Sequence, residues 1–167
     1  RRDANKDGKL TREEWDKFAD RMAKWPAKFR VTVMAIRLGG KGDVSQSDQV
    51  RAMFATARER FGRVDILVNN AGVVLGRQST ADMPEPAWNT MMGVNLKGVF
   101  LCSQAAINQM PDKTGRIINI TSISAFSGKG GPAYGPAKAA VGALTRDMAY
   151  ELGSRGITVN GIAPGII

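Results

Sequence analysis

Apolar positions along the chain fall into two rhythms. Val50, Met53, Phe54, Ala57 and Phe61 recur at the spacing of an amphipathic helix, with Ser47 placed to cap its start and Gly62 to close it. Compact aliphatic runs from Asp65 to Asn69, Arg116 to Thr121 and Ile157 to Ala163 read as buried strands, and Val31 to Ile36 as a further short one. Between them the pattern predicts a Gly-, Ser- and Pro-rich loop and a long helix from Glu85 to Met110, stopped by Pro111. A second helix is expected to start near Tyr134, with Pro136 tolerated in its first turn, and to run to Leu152. Gly156 ends the turn before the last strand. Strands alternating with helices of this length call for parallel pairing through right-handed crossovers, so the predicted class is an α/β layered fold. Ligands in such sheets bind at the carboxyl ends of the strands. The polar and Gly-rich segments after Asn69, Thr121 and Ala163 all fall there.

The rhythm changes near Trp25-Pro26, which places a domain boundary at about residue 28: a front segment, 1–27, and an α/β segment, 28–167. The front segment resembles the EF-hand calcium loop followed by its exit helix. Asp3, Asn5 and Asp7 occupy loop positions one, three and five, Gly8 makes the sharp turn, Lys9 offers its carbonyl, Thr11 sits at nine and Glu14 at twelve. Trp15, Phe18, Ala19 and Met22 form the apolar face of the helix after it. Only Arg1 and Arg2 stand where the incoming helix would be, no second loop pairs with this one, and Lys6, Lys9 and Arg12 oppose a cation. Ca2+ is therefore a candidate ligand of Asp3, Asn5, Asp7, Lys9, Thr11 and Glu14.

Composition narrows the chemistry. The 167 residues carry 24 Lys+Arg against 15 Asp+Glu, a formal charge of +9, with no His and one Cys. That excludes a Ser-His-Asp triad, a His-ligated zinc site, a disulfide within the chain and a thiolate cluster. Acid–base chemistry falls to Tyr, Lys, Asp or Glu. Cys102 sits in the apolar run Val99-Phe100-Leu101-Cys102 and reads as a small core residue. The positive charge is spread along the chain without interleaved aromatics, so nucleic acid is not an expected partner. No apolar run approaches a membrane span or a signal-peptide core, and the expected location is cytoplasmic.

Tyr134 and Lys138 stand four apart at a helix start, so both project from one face and the ammonium can lie beside the phenol. Moving a tyrosine from about 10 to about 7 takes roughly 4 kcal/mol of differential stabilisation, within reach of a close, partly buried cation aided by a cofactor charge. Such a residue can serve as a general acid–base. Order and spacing extend the pair: Asn69-Asn70-Ala71-Gly72 closes a strand, Asn95 lies in the next helix, Ser122 follows the next strand, and Pro164-Gly165 follows the last. Together these residues resemble the short-chain dehydrogenase/reductase family, from about Gly42 to Ile167.

The resemblance implies a Rossmann-like doubly wound parallel sheet and hydride transfer between NAD or NADP and a small carbonyl or alcohol. Tyr134 would exchange the proton with the substrate oxygen, and Lys138 would depress its pKa and hold the nicotinamide ribose. Ser122 would stabilise the charge developing on the substrate oxygen. Asn95 would hold a water joining Lys138 to solvent. Asp43 and Val44 would lie against the adenine, and Asn69, Ala71, Gly72, Pro164, Gly165 and Ile167 would line the cofactor. Family members often dimerise through their two long helices, which makes a homo-oligomer a candidate assembly. Gly39-Gly40-Lys41-Gly42 and Ser127-Gly128-Lys129-Gly130-Gly131 lack phosphate-loop spacing and read as plain turns.

The family's opening strand, Gly-rich turn and helix have no counterpart here, nor does the residue that selects NAD or NADP. The chain is thus expected to be an incomplete Rossmann-type domain, truncated at both ends, whose oxidoreductase activity is impaired by loss of the pyrophosphate-binding helix terminus. Val31 to Ile36 is expected to fill the vacated slot beside the strand ending at Asn69, which would otherwise be an open edge. The competing expectation is a non-catalytic calcium-binding or protein-interaction module on a scaffold of this kind.

Overall fold

The computed structural model describes residues 42–76 and 78–165. The expected strand Val31 to Ile36, Asp3, Asn5, Asp7, Lys9, Thr11, Glu14 and Ile167 lie outside the described residues.

The described chain opens on a turn closed by Asp43, whose carboxylate accepts the Ser45 N–H at 2.8 Å and whose carbonyl accepts the Gln46 N–H at 3.1 Å. Helix α1 (Ser47–Phe61) follows, with Gln46 at its cap position and no side-chain cap bond. Ser47 is therefore its first helical residue and not its cap, because Asp43 already arranges the turn. α1 buries Val50, Met53, Phe54 and Ala57, the face its periodicity predicts, and ends at Gly62. Gly62 takes a positive φ of 84° and donates its N–H to the Arg58 carbonyl, the usual glycine stop.

Three strands, β1 (Ile66–Asn69), β2 (Arg116–Ile120) and β3 (Thr158–Ile162), form a sheet in the order β1-β2-β3. Both pairings are parallel, with Asn69 opposite Asn119 and Asn119 opposite Gly161. Each strand is one residue shorter than expected at one or both ends. Alternation along the strands sorts two faces. Leu67, Asn69, Ile117, Asn119 and Val159 are buried, while Ile66, Val68, Arg116, Ile118, Ile120 and Asn160 are half-buried or exposed. The buried face joins the apolar residues of the helices in one core that includes Phe54, Val64, Cys102, Ala106, Met148, Leu152 and Ile157.

The long helix expected from Glu85 to Met110 is three pieces. Helix α2 (Glu85–Met92) runs into a π turn (Gly93–Lys97) and then into helix α3 (Gly98–Ile107). The cause is local: Asn95 Nδ2 donates to the Met91 carbonyl four residues back at 2.9 Å and competes with the backbone for that acceptor. α3 stops at Ile107, and Arg155 donates to the Ile107 and Met110 carbonyls beyond its last turn.

A short helix, α4 (Ser124–Ser127), was not expected and ends at Gly128 with a left-handed φ of 66°. Helix α5 (Gly131–Leu152) begins three residues before the predicted start at Tyr134. Pro132 takes the first-turn place assigned to Pro136, since the missing N–H is one that no helix satisfies there. Pro136 lies a turn further in, so only one intrahelical bond is forfeited. A 3₁₀ turn (Gly153–Arg155) and Gly156, with φ 67°, then lead into β3. No helix of the described residues is long and apolar enough to cross a membrane.

Candidate functional site

All three strands end at one edge of the sheet, and the segments leaving them build the site. After β1, Asn70 to Gly72 turn toward the π segment, where Asn95 clamps the strand exit from both sides. Its Nδ2 donates to the Val73 carbonyl at 2.8 Å and its Oδ1 accepts the Val73 N–H at 3.1 Å, in a fully buried position. A Cβ on Gly72 would stand 2.9 Å from Asn95 Oδ1, too close for any other residue unless Asn95 moved, and at an ordinary contact distance of 3.7 Å from Lys138 Nζ.

After β2, Ser122 Oγ accepts the Ser124 N–H at 3.1 Å and starts α4. The same segment is tied to the exit of β3. Thr121 donates its N–H and its hydroxyl to the Ile162 carbonyl at 2.7 and 2.9 Å, and Ile123 donates its N–H to the Pro164 carbonyl at 3.1 Å. Ser122 and Pro164-Gly165 therefore belong to neighbouring exits of the sheet.

Lys138, one turn inside α5 from Tyr134, points back across the end of β2. Lys138 as a whole is 3% exposed, and its ammonium donates to the Ile120 carbonyl at 2.7 Å. It also stands 5.7 Å from the centre of the Tyr134 ring. Burial holds the ammonium pKa below the ordinary lysine value. Tyr134 itself is half-buried. Tyr134, Lys138, Gly72 and Asn95 thus meet in one place, drawn from α5, the β1 exit and the π turn.

Val44, next to Asp43 in the turn before α1, lies beside the β1 exit. A hollow there is lined by Val44, Met53, Leu67, Asn69, Ala71 and Cys102. Hydrogen bonding from the Ser45 backbone N–H lowers the Asp43 pKa. Burial pushes the Cys102 thiol up to about 11, so this cysteine is a core residue with little thiolate character.

Sequence reasoning missed three groups at or behind the site: the Ile120 carbonyl, the Val73 backbone, and Asn119 with its partner Thr145. The first two are main-chain atoms and leave no residue-type signal. Among the described residues no group of three or more His, Cys, Asp or Glu is arranged to hold a metal ion.

Comparison with known proteins finds relatives of the same fold. The family model described as short chain dehydrogenase matches residues 15–167 and so begins inside the front segment. A 3-oxoacyl-[acyl-carrier-protein] reductase of Synechocystis is 43% identical over 133 residues, covering 76% of this chain and 52% of that protein. The short-chain reductase protein NovJ of Streptomyces niveus is 43% identical over 145 residues, covering 83% of this chain and 55% of that protein. A short-chain dehydrogenase/reductase structure from Serratia marcescens superposes with a TM-score of 0.71 at 38% identity, covering 75% of this chain and 57% of that one. The chain spans about half the length of the curated relatives it matches.

Proposed function

Because the chain belongs to the short-chain dehydrogenase/reductase family, we propose that it carries the catalytic part of an oxidoreductase acting between NAD or NADP and a small carbonyl or alcohol. The observation that carries this reading is the seat of Lys138, a buried ammonium held by the Ile120 carbonyl beside the Tyr134 ring. A buried cation needs a reason to be there, since desolvation alone disfavours it.

In this reading Tyr134 gives its hydroxyl proton to the substrate oxygen in reduction and recovers it in oxidation. Lys138 favours the phenolate that remains and offers hydrogen bonds to a ribose. Ser122 donates to the same substrate oxygen. Both Nδ2 hydrogens of Asn95 are directed at the Val73 and Met91 carbonyls. A water relay at this residue would therefore use its oxygen atoms, and its side chain acts foremost as the clamp on the β1 exit.

The residues present fit the nicotinamide-ribose half of the cofactor. Gly72 lets the β1 exit approach Asn95 without a side chain between them, and the Lys138 ammonium lies beside that backbone, where it could reach a ribose. In this reading Asp43 and Val44 would lie toward the adenine, Asn69 and Ala71 at the β1 exit would line the cofactor, and Pro164 and Gly165 would do so from the β3 exit. When bound, the nicotinamide supplies or accepts the hydride. The test is a titration of the 167-residue chain with NADH and NADPH followed by cofactor fluorescence, then turnover on a carbonyl panel. Saturable binding with turnover that falls at least ~100-fold in Tyr134→Phe is expected. Absence of binding at millimolar cofactor would reduce the site to an inherited arrangement.

The EF-hand pattern of residues 1–27 supports a second proposal, a calcium loop set before the domain that runs from 28 to 167. Calcium-dependent change in Trp15 and Trp25 fluorescence is its test. A small-molecule substrate, a second copy of the chain and a cytoplasmic setting complete the proposed surroundings.

A further inference from the structure

Two carboxamides, Asn69 and Asn119, stand in a sheet face otherwise given to Leu67, Ile117 and Val159. They face one another in register on β1 and β2. Asn69 Nδ2 donates to Asn119 Oδ1 at 2.8 Å and to Ser103 Oγ on α3 at 3.0 Å. Asn119 Nδ2 donates in turn to Thr145 Oγ1 at 2.9 Å, and the Thr145 hydroxyl donates to the Val141 carbonyl at 2.7 Å. Ser103, Asn69, Asn119 and Thr145 are all buried. The result is one hydrogen-bonded chain running from α3 through two strands to α5.

A polar chain in an apolar core costs desolvation that aliphatic residues would avoid, so stability alone does not account for it. Its place suggests what does. Asn119 directly precedes Ile120, whose carbonyl holds Lys138, and Thr145 lies seven residues after Lys138 on α5, two turns along the same face. α5 is therefore fastened to adjacent residues of β2 at two points, one by Thr145 and one by Lys138. A hydrogen bond fixes direction and distance where aliphatic packing would let a helix slide by fractions of an ångström.

We propose that Ser103, Asn69, Asn119 and Thr145 are positioning residues that set the register of α5 on β2 and so keep the Lys138 ammonium at the Ile120 carbonyl. The inference rests on the reading of Lys138 as the site cation, and it is tested without requiring turnover. Acylation of the native 167-residue chain by an N-hydroxysuccinimide ester, followed lysine by lysine with mass spectrometry, reports how well Lys138 is held. Alkylation of Cys102, buried in the core, reports general loosening.

In Thr145→Val, which keeps the volume and removes the hydroxyl, Lys138 is expected to acylate roughly ten-fold faster through local opening, with Lys97, Lys113, Lys129 and Cys102 unchanged. Thr145→Ser, which keeps the hydroxyl, is expected to restore the slow rate. An unchanged Lys138 rate in folded Thr145→Val overturns the proposal. Should Thr145→Val lose its fold, Ser103→Ala at the far end of the chain is read by the same criteria. Parallel acceleration of Lys138 and Cys102 there would mean a general structural role and would also overturn it. Failure to bind nicotinamide would sink the oxidoreductase reading and leave this acylation result intact.

Discussion

Cys102 shows how burial alone sets a residue's chemistry. With its thiol pushed up to about 11 from an ordinary 9.0, its thiolate fraction near pH 8 is roughly 100-fold below that of a free cysteine. Iodoacetamide is accordingly expected to label the native chain at least that much more slowly than the urea-unfolded chain, and equal rates would refute the burial. The linked stability has a definite sign. Between pH 9 and about 11 the unfolded thiol ionises first, so the unfolded state binds fewer protons and folding weakens as pH rises. Lys138 acts the other way, because its lowered pKa means the unfolded chain holds more protons in the window below its ordinary value. Denaturant titrations of the native chain and Cys102→Ala across that range separate the two. The stability advantage of the native chain over Cys102→Ala is expected to shrink as pH rises.

At the scale of elements, two junctions bear tests. Gly98 opens α3 against the loop before α1, and a Cβ there would stand 2.6 Å from Val44 Cγ2 and 3.2 Å from its Cβ. Alanine gains about 1 kcal/mol of helix propensity over glycine. Overpacking against a β-branched side chain costs about 1–3 kcal/mol. The clash wins, so Gly98→Ala is expected to lower the unfolding midpoint, and a raised midpoint would show that Val44 yields freely. At the other end of α3, Arg155 donates to the Ile107 and Met110 carbonyls and pairs with Asp112 at 2.8 Å. Arg155→Met is expected to cost about 1–2 kcal/mol by orphaning those carbonyls. Asp112→Asn should cost a few tenths, because that pair is largely exposed. Equal losses in urea titrations would mean the ion pair, and not the carbonyl capping, carries the junction.

These junctions also mark where legibility in the sequence stops. The apolar face of α1 and the parallel strands could be read because periodicity is local, and Tyr134 and Lys138 because four residues of helix bring them together. The π turn at Gly93–Lys97 could not, since it depends on Asn95 turning its carboxamide to Met91 and to Val73, a partner distant in sequence. Pro136 drew the start of α5 to the wrong place because Pro132 holds the same credentials one turn earlier. The Asn69–Asn119 contact exists only once β1 and β2 are in register, and nothing in either segment alone announces it.

For the molecule as a whole, the two faces of the sheet differ in cover. Parallel sheets are normally packed on both sides. Here the face of Leu67, Ile117 and Val159 lies under the helices, and the opposite face presents Ile66, Val68, Ile118 and Ile120 half-buried and Ile162 51% exposed. None of these five residues belongs to the core formed with the described helices. An apolar patch of this kind drives association or dye binding when it meets solvent. The chain is therefore expected to bind an apolar fluorescent dye in the native state and to sediment as larger species with increasing concentration. Ile162→Lys, at the most exposed position of the patch, should reduce both without shifting the unfolding midpoint by more than about 1 kcal/mol, since little burial is lost there. A monodisperse monomer that binds no dye would mean the second face is covered after all. Self-association without dye binding would instead place the contact on the exposed surfaces of α3 and α5, where Phe100 and Tyr150 stand.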